Sequence, residues 1–372
     1  MRFRVGCLLA LAFCAVPLRA VDAPQPVEAA FKNIQVLKGV PSAQLLPIMH
    51  FMRASLGVRC DFCHVTENGA YHLDDKKEKL RARDMIVLTR RLNELGFGGR
   101  NTVTCATCHR GAVAPVSTPE TGSTFLNTTR REHGEVDPPA LPTAAAVFAR
   151  FEAATHLHSL GAARVRFEGC RAKIVNEHTP AARAIARADC AMREELIDGD
   201  RAVVTSSLPN GEPMRVGSDG HRVWTMTRSS GVRWVPESDF AEVERKIHPF
   251  QAALVRPEEF SSSEVAGVEP LVGEQSIAIT AIGKDGIAQK LWFSSGTGLL
   301  LRRTYYHPIA LGLDPEQYDF SAYKRIGAVV LPAHIKTSYL DDQHLGFSKT
   351  IVDVEAASAK PDDFDPPAQW PN

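Results

Sequence analysis

The pattern Cys-x-x-Cys-His occurs twice, as Cys60-Asp-Phe-Cys63-His64 and as Cys105-Ala-Thr-Cys108-His109. Two cysteines three positions apart on a turn of helix can each add across one vinyl group of the same porphyrin. The histidine that follows is then held under the ring with a nitrogen aimed at the iron. A zinc site or a redox disulfide also uses Cys-x-x-Cys, but neither needs histidine directly after the second cysteine. The two pairs could together build an all-cysteine tetrahedral zinc site. The repeated histidine points instead to two covalently bound haem c groups.

The N-terminus supports an oxidising destination. Arg2 and Arg4 precede an apolar run from Val5 to Val16, and Leu18-Arg19-Ala20 offers a small-residue cleavage site, with Ala23 a second. A signal peptide over residues 1–23 is expected. The run is shorter than the ~20 residues a membrane-spanning helix needs, so the mature chain is expected to be soluble in the periplasm with no transmembrane segment. Lys+Arg and Asp+Glu both number 43, a balance that gives no reason to expect nucleic acid as a partner. Of eight cysteines, two lie in the signal and four in the motifs, leaving Cys170 and Cys190. Outside the cytoplasm one disulfide between them is plausible; two reduced, buried thiols are the alternative.

The texture of the chain predicts an α+β multidomain protein. Residues 24–113 read as helical: Leu45, Ile48, Met49 and Met52 recur at helical spacing within Gln44–Ser55, and Leu80, Met85, Leu88 and Leu92 within Lys76–Leu95. Pro47 falls in a first turn, where no backbone donor is needed. Residues 114–142 are rich in Pro, Thr, Ser and Gly and read as a linker. Residues 143–372 begin with a helix over Thr143–Leu160 and then change period. Short strands are expected at Ala202–Ser207, Arg222–Arg228, Ser276–Ile282, Gln289–Ser294, Leu299–Tyr306, Val329–Ser338 and Phe347–Val354. Turns such as Asp219-Gly220 and Asp285-Gly286 separate them, which predicts a mostly antiparallel sheet.

Each helical piece carries methionine, then a glycine-containing turn, then Cys-x-x-Cys-His. A thioether on the far side of a histidine-ligated haem iron closes its sixth position and raises its potential. Met49 and Met52 precede the first motif, and Met85 is the methionine nearest before the second. Flexible core packing is the other use of such residues, but three of only seven methionines fall in these two helices.

The stretches Phe31–Val40, Met49–His64, Ala82-Arg-Asp-Met-Ile86 and Val103–Gly111 resemble the cytochrome c subunit family of photosynthetic reaction centres over roughly residues 27–113. That family's photosynthetic members carry four haems; this chain has two motifs. The resemblance implies helix–turn–helix haem units in which Met49 serves the first haem and Met85 the second, with Met52 the competitor of Met49. It also implies redox partner proteins and association with a membrane complex from the periplasmic side. The C-terminal part, with Gly296-Thr-Gly-Leu-Leu-Leu-Arg302 and Pro361-Asp-Asp-Phe364, is more weakly similar to curved antiparallel sheets of the lipoprotein-carrier type, a half barrel around a helix or an apolar ligand.

The remaining histidines, including His50, His72, His156 and His158, form no nucleophile–base grouping. The charged run Asp74–Arg83 reads as the solvated face of the second helix, or as a docking patch for a redox partner. The expected function is single-electron transfer by a periplasmic two-haem cytochrome, not an enzyme. Cys60, Cys63, Cys105 and Cys108 attach the porphyrins, His64 and His109 ligate iron proximally, and Met49 and Met85 distally. The alternatives are a di-haem peroxidase with one open iron face, and a redox-linked carrier of an apolar molecule in the β domain.

Overall fold

The computed structural model describes residues 25–115, 141–174, 185–199, 201–207, 211–236, 250–340 and 347–370. The expected signal peptide and residues 116–140 of the expected linker lie outside them.

The N-terminal region is helical, as its 3.6-residue periodicity requires: α1 (Val27–Ala30), α2 (Leu45–Leu56), α3 (Cys60–Cys63), α4 (Lys77–Phe97) and α5 (Cys105–His109). The small core here joins Val27, Leu37, Val40, Ile48, Phe51 and Ile86. No helix among the described residues is long and apolar enough to cross a membrane.

Beyond α6 (Ala144–Thr155) the described chain forms one antiparallel sheet of thirteen strands. Its first half comprises β1 (Ala163–Ile174), β2 (Ile185–Asp198), β3 (Arg201–Ser207), β4 (Pro213–Ser218), β5 (Val223–Thr227) and β6 (Gly231–Trp234). Its second comprises β7 (Phe260–Leu271), β8 (Glu274–Gly283), β9 (Ala288–Ser294), β10 (Leu300–Ile309), β11 (Gly312–Ile326), β12 (Val329–Tyr339) and β13 (Phe347–Ala356). Neighbours in sequence pair as hairpins within each half, and β1 pairs with β13, so the first and last strands meet inside the sheet.

The sheet is curved around α6. That helix contacts both β12 and β7, which lie five strand spacings apart, about 24 Å in a flat sheet. A helix only about 10 Å across reaches both strands only if the sheet bends. Phe148 and Phe151 of α6 fill the concave side, with Phe148 5.6 Å from Phe260 and Phe151 5.4 Å from Phe293, ring centre to ring centre. Thr143 caps the helix, its hydroxyl accepting from the Ala146 amide at 3.2 Å.

The seven expected strands overlap β3, β5, β8, β9, β10, β12 and β13; β1, β2, β4, β6, β7 and β11 are additional. β1 alternates Ala163, Val165 and Phe167, all buried, with exposed Arg164, Arg166 and Glu168, a period of two carried on strongly charged outward positions. The two leftover cysteines form a disulfide, Cys170–Cys190, between directly opposed residues of β1 and β2.

The helical region and the sheet touch through the β10–β11 turn. Ile309 and Leu311 are buried in the helical region's core beside Ile48 and Phe51. The Asn101 amide donates to the carbonyls of Ile309 and Ala310, and the Ala310 amide donates to the Gln44 side chain at 3.1 Å.

Candidate haem sites

The first motif follows α2 closely. The helix ends at Gly57, which takes the left-handed conformation with φ +66°, a standard glycine stop. A Cβ there would lie 2.1 Å from the Gly111 carbonyl oxygen, and the Gly111 amide donates to the Ser55 carbonyl at 2.8 Å. The turn that leads into the first motif therefore abuts the residues that leave the second. Cys60 and Cys63 are the ends of α3, and the His64 amide donates to the Cys60 carbonyl.

A cavity of about 700 Å³ opens between α2, α3 and α4, a volume in the range of cofactor pockets. Cys60, Cys63, His64, Met49 and Met52 all line it, so the structure brings five of the sequence candidates together and sets both methionines on one site. His50, His72, Arg53 and Arg59 also line it. His64 Nδ1 lies 2.8 Å from the Tyr71 carbonyl oxygen, so this nitrogen donates and Nε2 keeps its lone pair. Burial, with the nearby cations Lys79, Arg83 and Lys76, holds the imidazole below its ordinary pKa against the opposing Tyr71 bond. A neutral imidazole is the form that ligates a metal.

The second motif repeats the device. The Thr104–Thr107 capping box starts α5, and His109 Nδ1 lies 3.1 Å from the Ala112 carbonyl, again leaving Nε2 for a metal. Asn93, buried on α4, ties the entry of this motif to that helix: its oxygen accepts from the Thr102 and Val103 amides and its nitrogen donates to the Val103 carbonyl. Met85 is half-buried on α4 and is not among the residues lining the first cavity. Leu88 and Leu92, three and seven positions on, stand 49% and 42% exposed on the same helix. Met85, Leu88 and Leu92 thus form an apolar stripe on α4 that is open to a porphyrin face.

The four motif cysteines do not converge as an all-cysteine zinc site would require; among the described residues the one cysteine-containing group within metal-binding reach is Glu168 with the disulfide pair. The cavity at the first motif, lined by two cysteines, a histidine and two methionines, fits a haem.

The charged run differs from its reading as a solvated face. Asp74 accepts two bonds from Arg83 at 2.9 Å and one from Asn33 at 2.9 Å, and Arg83 and Asn33 hold its carboxyl well below the usual carboxylate range. Lys79 is 9% exposed and points inward. A period-3.6 reading centred on leucines misses this, because Lys79, Ala82, Arg83 and Ile86 form the inward face. The clue in the sequence is their own spacing of three, four and seven.

The family model described as the photosynthetic reaction centre cytochrome C subunit matches residues 11–146. Cytochrome c-554 of Chloroflexus aurantiacus is 37% identical over 112 residues, 28% of this chain and 26% of that protein. The match thus spans about a quarter of that relative's length. A LolA superfamily protein from Nitrosomonas europaea superposes with a TM-score of 0.46 at 12% identity, over 60% of this chain and 98% of the other. A DUF1329 family protein from Desulfovibrio piger gives 0.42 at 14% identity, over 59% and 96%. The N-terminal helical region of this chain resembles the photosynthetic reaction centre cytochrome c subunit family, and the family match ends at residue 146, before the first strand of the sheet.

Proposed function

We propose that the protein is an exported, periplasmic di-haem c-type cytochrome that passes single electrons between redox partner proteins. The observation that carries this reading is the matched pair of histidines, each with Nδ1 against a backbone carbonyl and Nε2 free. Such outer bonds fix the tautomer and ring orientation of an axial ligand. When bound, each haem iron supplies a one-electron couple that, closed by histidine and methionine, changes oxidation state with little rearrangement.

The chain's own residues divide the work. Cys60 and Cys63 anchor one porphyrin, and Cys105 and Cys108 the other. His64 and His109 present their Nε2 atoms as proximal ligands. Met49, with Met52 as its neighbour in the same cavity, and Met85 offer the thioethers. The approach of Gly57 to Gly111 keeps the two motifs adjacent, which favours transfer between them. A methionine for each motif supports electron transfer over peroxidase chemistry, which needs one iron face open.

Mass spectrometry of the mature protein, made with a haem-attachment system, should show two porphyrin additions, and paramagnetic resonance should show both irons low-spin when oxidised. A bare polypeptide mass, or one high-spin haem with rapid peroxide turnover, would overturn the reading.

A further inference from the structure

Lys79 sits where a surface helix seldom places a lysine. Its side chain is 11% exposed, and its Nζ donates to the carbonyls of Tyr71 at 2.9 Å and Leu73 at 2.7 Å, with the Asp74 carboxylate 3.2 Å away. The Tyr71 carbonyl is also the acceptor for His64 Nδ1 at 2.8 Å. One oxygen thus serves both an ammonium and the imidazole of the candidate proximal ligand. At the second motif the Ala112 carbonyl accepts from His109, and no cation donates to it among the described residues.

This asymmetry has an electronic consequence. A bond from a cation is stronger than one from a neutral N–H, so the ammonium draws electron density from the Tyr71 oxygen. The oxygen then pulls less on the His64 proton, and the ring keeps less imidazolate character. A less basic imidazole stabilises ferric iron less, and second-shell bonds of this kind tune metal sites. A fixed positive charge near the ring acts in the same direction, favouring the reduced state.

We propose that Lys79 is a positioning residue that raises the reduction potential of the first haem, and not of the second, by sharing the Tyr71 carbonyl with His64. The inference rests on the two-haem reading. It makes the first haem the place where a shared electron is held more firmly than it would be without Lys79.

The test is redox titration of the full-length protein, with the haems counted by mass. The first couple is identified as the one that Met49→Ala displaces. Lys79→Gln keeps a donor for the carbonyl and removes the charge. It should shift the first couple's reduction equilibrium roughly tenfold towards the oxidised form, about 59 mV for one electron, while the second couple stays in place. Lys79→Arg should restore the wild-type value. Asp74→Asn, which removes the counter-charge, should move the first couple the opposite way and serves if Lys79→Gln loads haem poorly. Variants that leave both couples unmoved, or shift both alike, would refute the role of Lys79. A wild-type protein carrying fewer than two haems would instead remove the reading beneath it.

Discussion

Three methionines and two buried lysines, Lys79 and Lys349, concentrate the chemistry at the level of single residues. Met49 and Met52 line the same cavity as His64, so the spectrum must separate them. Met49→Ala should turn the first haem high-spin and lower its potential, because the thioether favours reduced iron, while Met52→Ala should cost packing alone. Met85→Ala should do to the second haem what Met49→Ala does to the first. Optical and paramagnetic resonance spectra of the three variants check this, and a high-spin first haem in Met52→Ala would exchange the roles. In the sheet, Lys349 is buried among Glu195, Arg193 and Glu316, and burial lowers its pKa to about 7. The unfolded chain keeps this proton up to the ordinary lysine range near 10.5, so between those values it binds more protons than the folded chain. Stability should therefore rise with pH across that window from this residue, by at most about 1.4 kcal/mol per pH unit. Denaturant unfolding from pH 7 to 10 should show a steeper rise for wild type than for Lys349→Met. Equal slopes would exclude the effect.

Among the elements, two close approaches hold the helical region together. Gly57 combines a left-handed φ of +66° with backbone 2.1 Å from where a Cβ would stand. Gly57→Ala should cost about 2 kcal/mol, in the range of local backbone strain, and should loosen the contact between the two motifs. The β10–β11 turn makes the second approach: a Cβ on Gly312 would lie 2.9 Å from the Phe51 ring and 3.3 Å from Thr104. Phe51 belongs to the helix that carries Met49, and Thr104 caps the helix of the second motif. Gly312→Val should therefore push the sheet away from the haem region without touching a ligand. Limited proteolysis should then cut faster between the two, with the haem spectra unchanged. Unaltered proteolysis would mean the turn makes room without cost.

At the scale of the whole molecule, the Cys170–Cys190 bridge joins β1 to β2 and closes 20 residues. Loop-closure entropy for a loop of that length is worth about 3 kcal/mol. Reduction should lower the melting temperature of the sheet while leaving both haems attached, since thioether links are not disulfides. Calorimetry with and without a reductant decides it, and an unchanged transition would show that the sheet does not depend on the bridge. Because β1 also pairs with β13, destabilising that hairpin should weaken the union of the two halves of the sheet rather than one edge.

The motifs were legible in the chain because covalent haem attachment demands a fixed local spacing, and no tertiary partner is needed to read it. The helices around Met49 and Met85 were legible for the same local reason. So were seven strands with apolar and β-branched alternation. β11 was not, because Glu316, Tyr318 and Phe320 face inward there and a buried carboxylate on the core face reads as a polar position. Nor could sequence place Lys79 inside, since a lysine in a charged run looks solvated until the loop carrying Tyr71 folds over it. The pairing of β1 with β13, the seat of the β10–β11 turn on Phe51 and the approach of Gly57 to Gly111 join residues far apart in the chain. Their register depends on complementary surfaces that exist only once both partners are folded, and periodicity along one segment carries no record of the other.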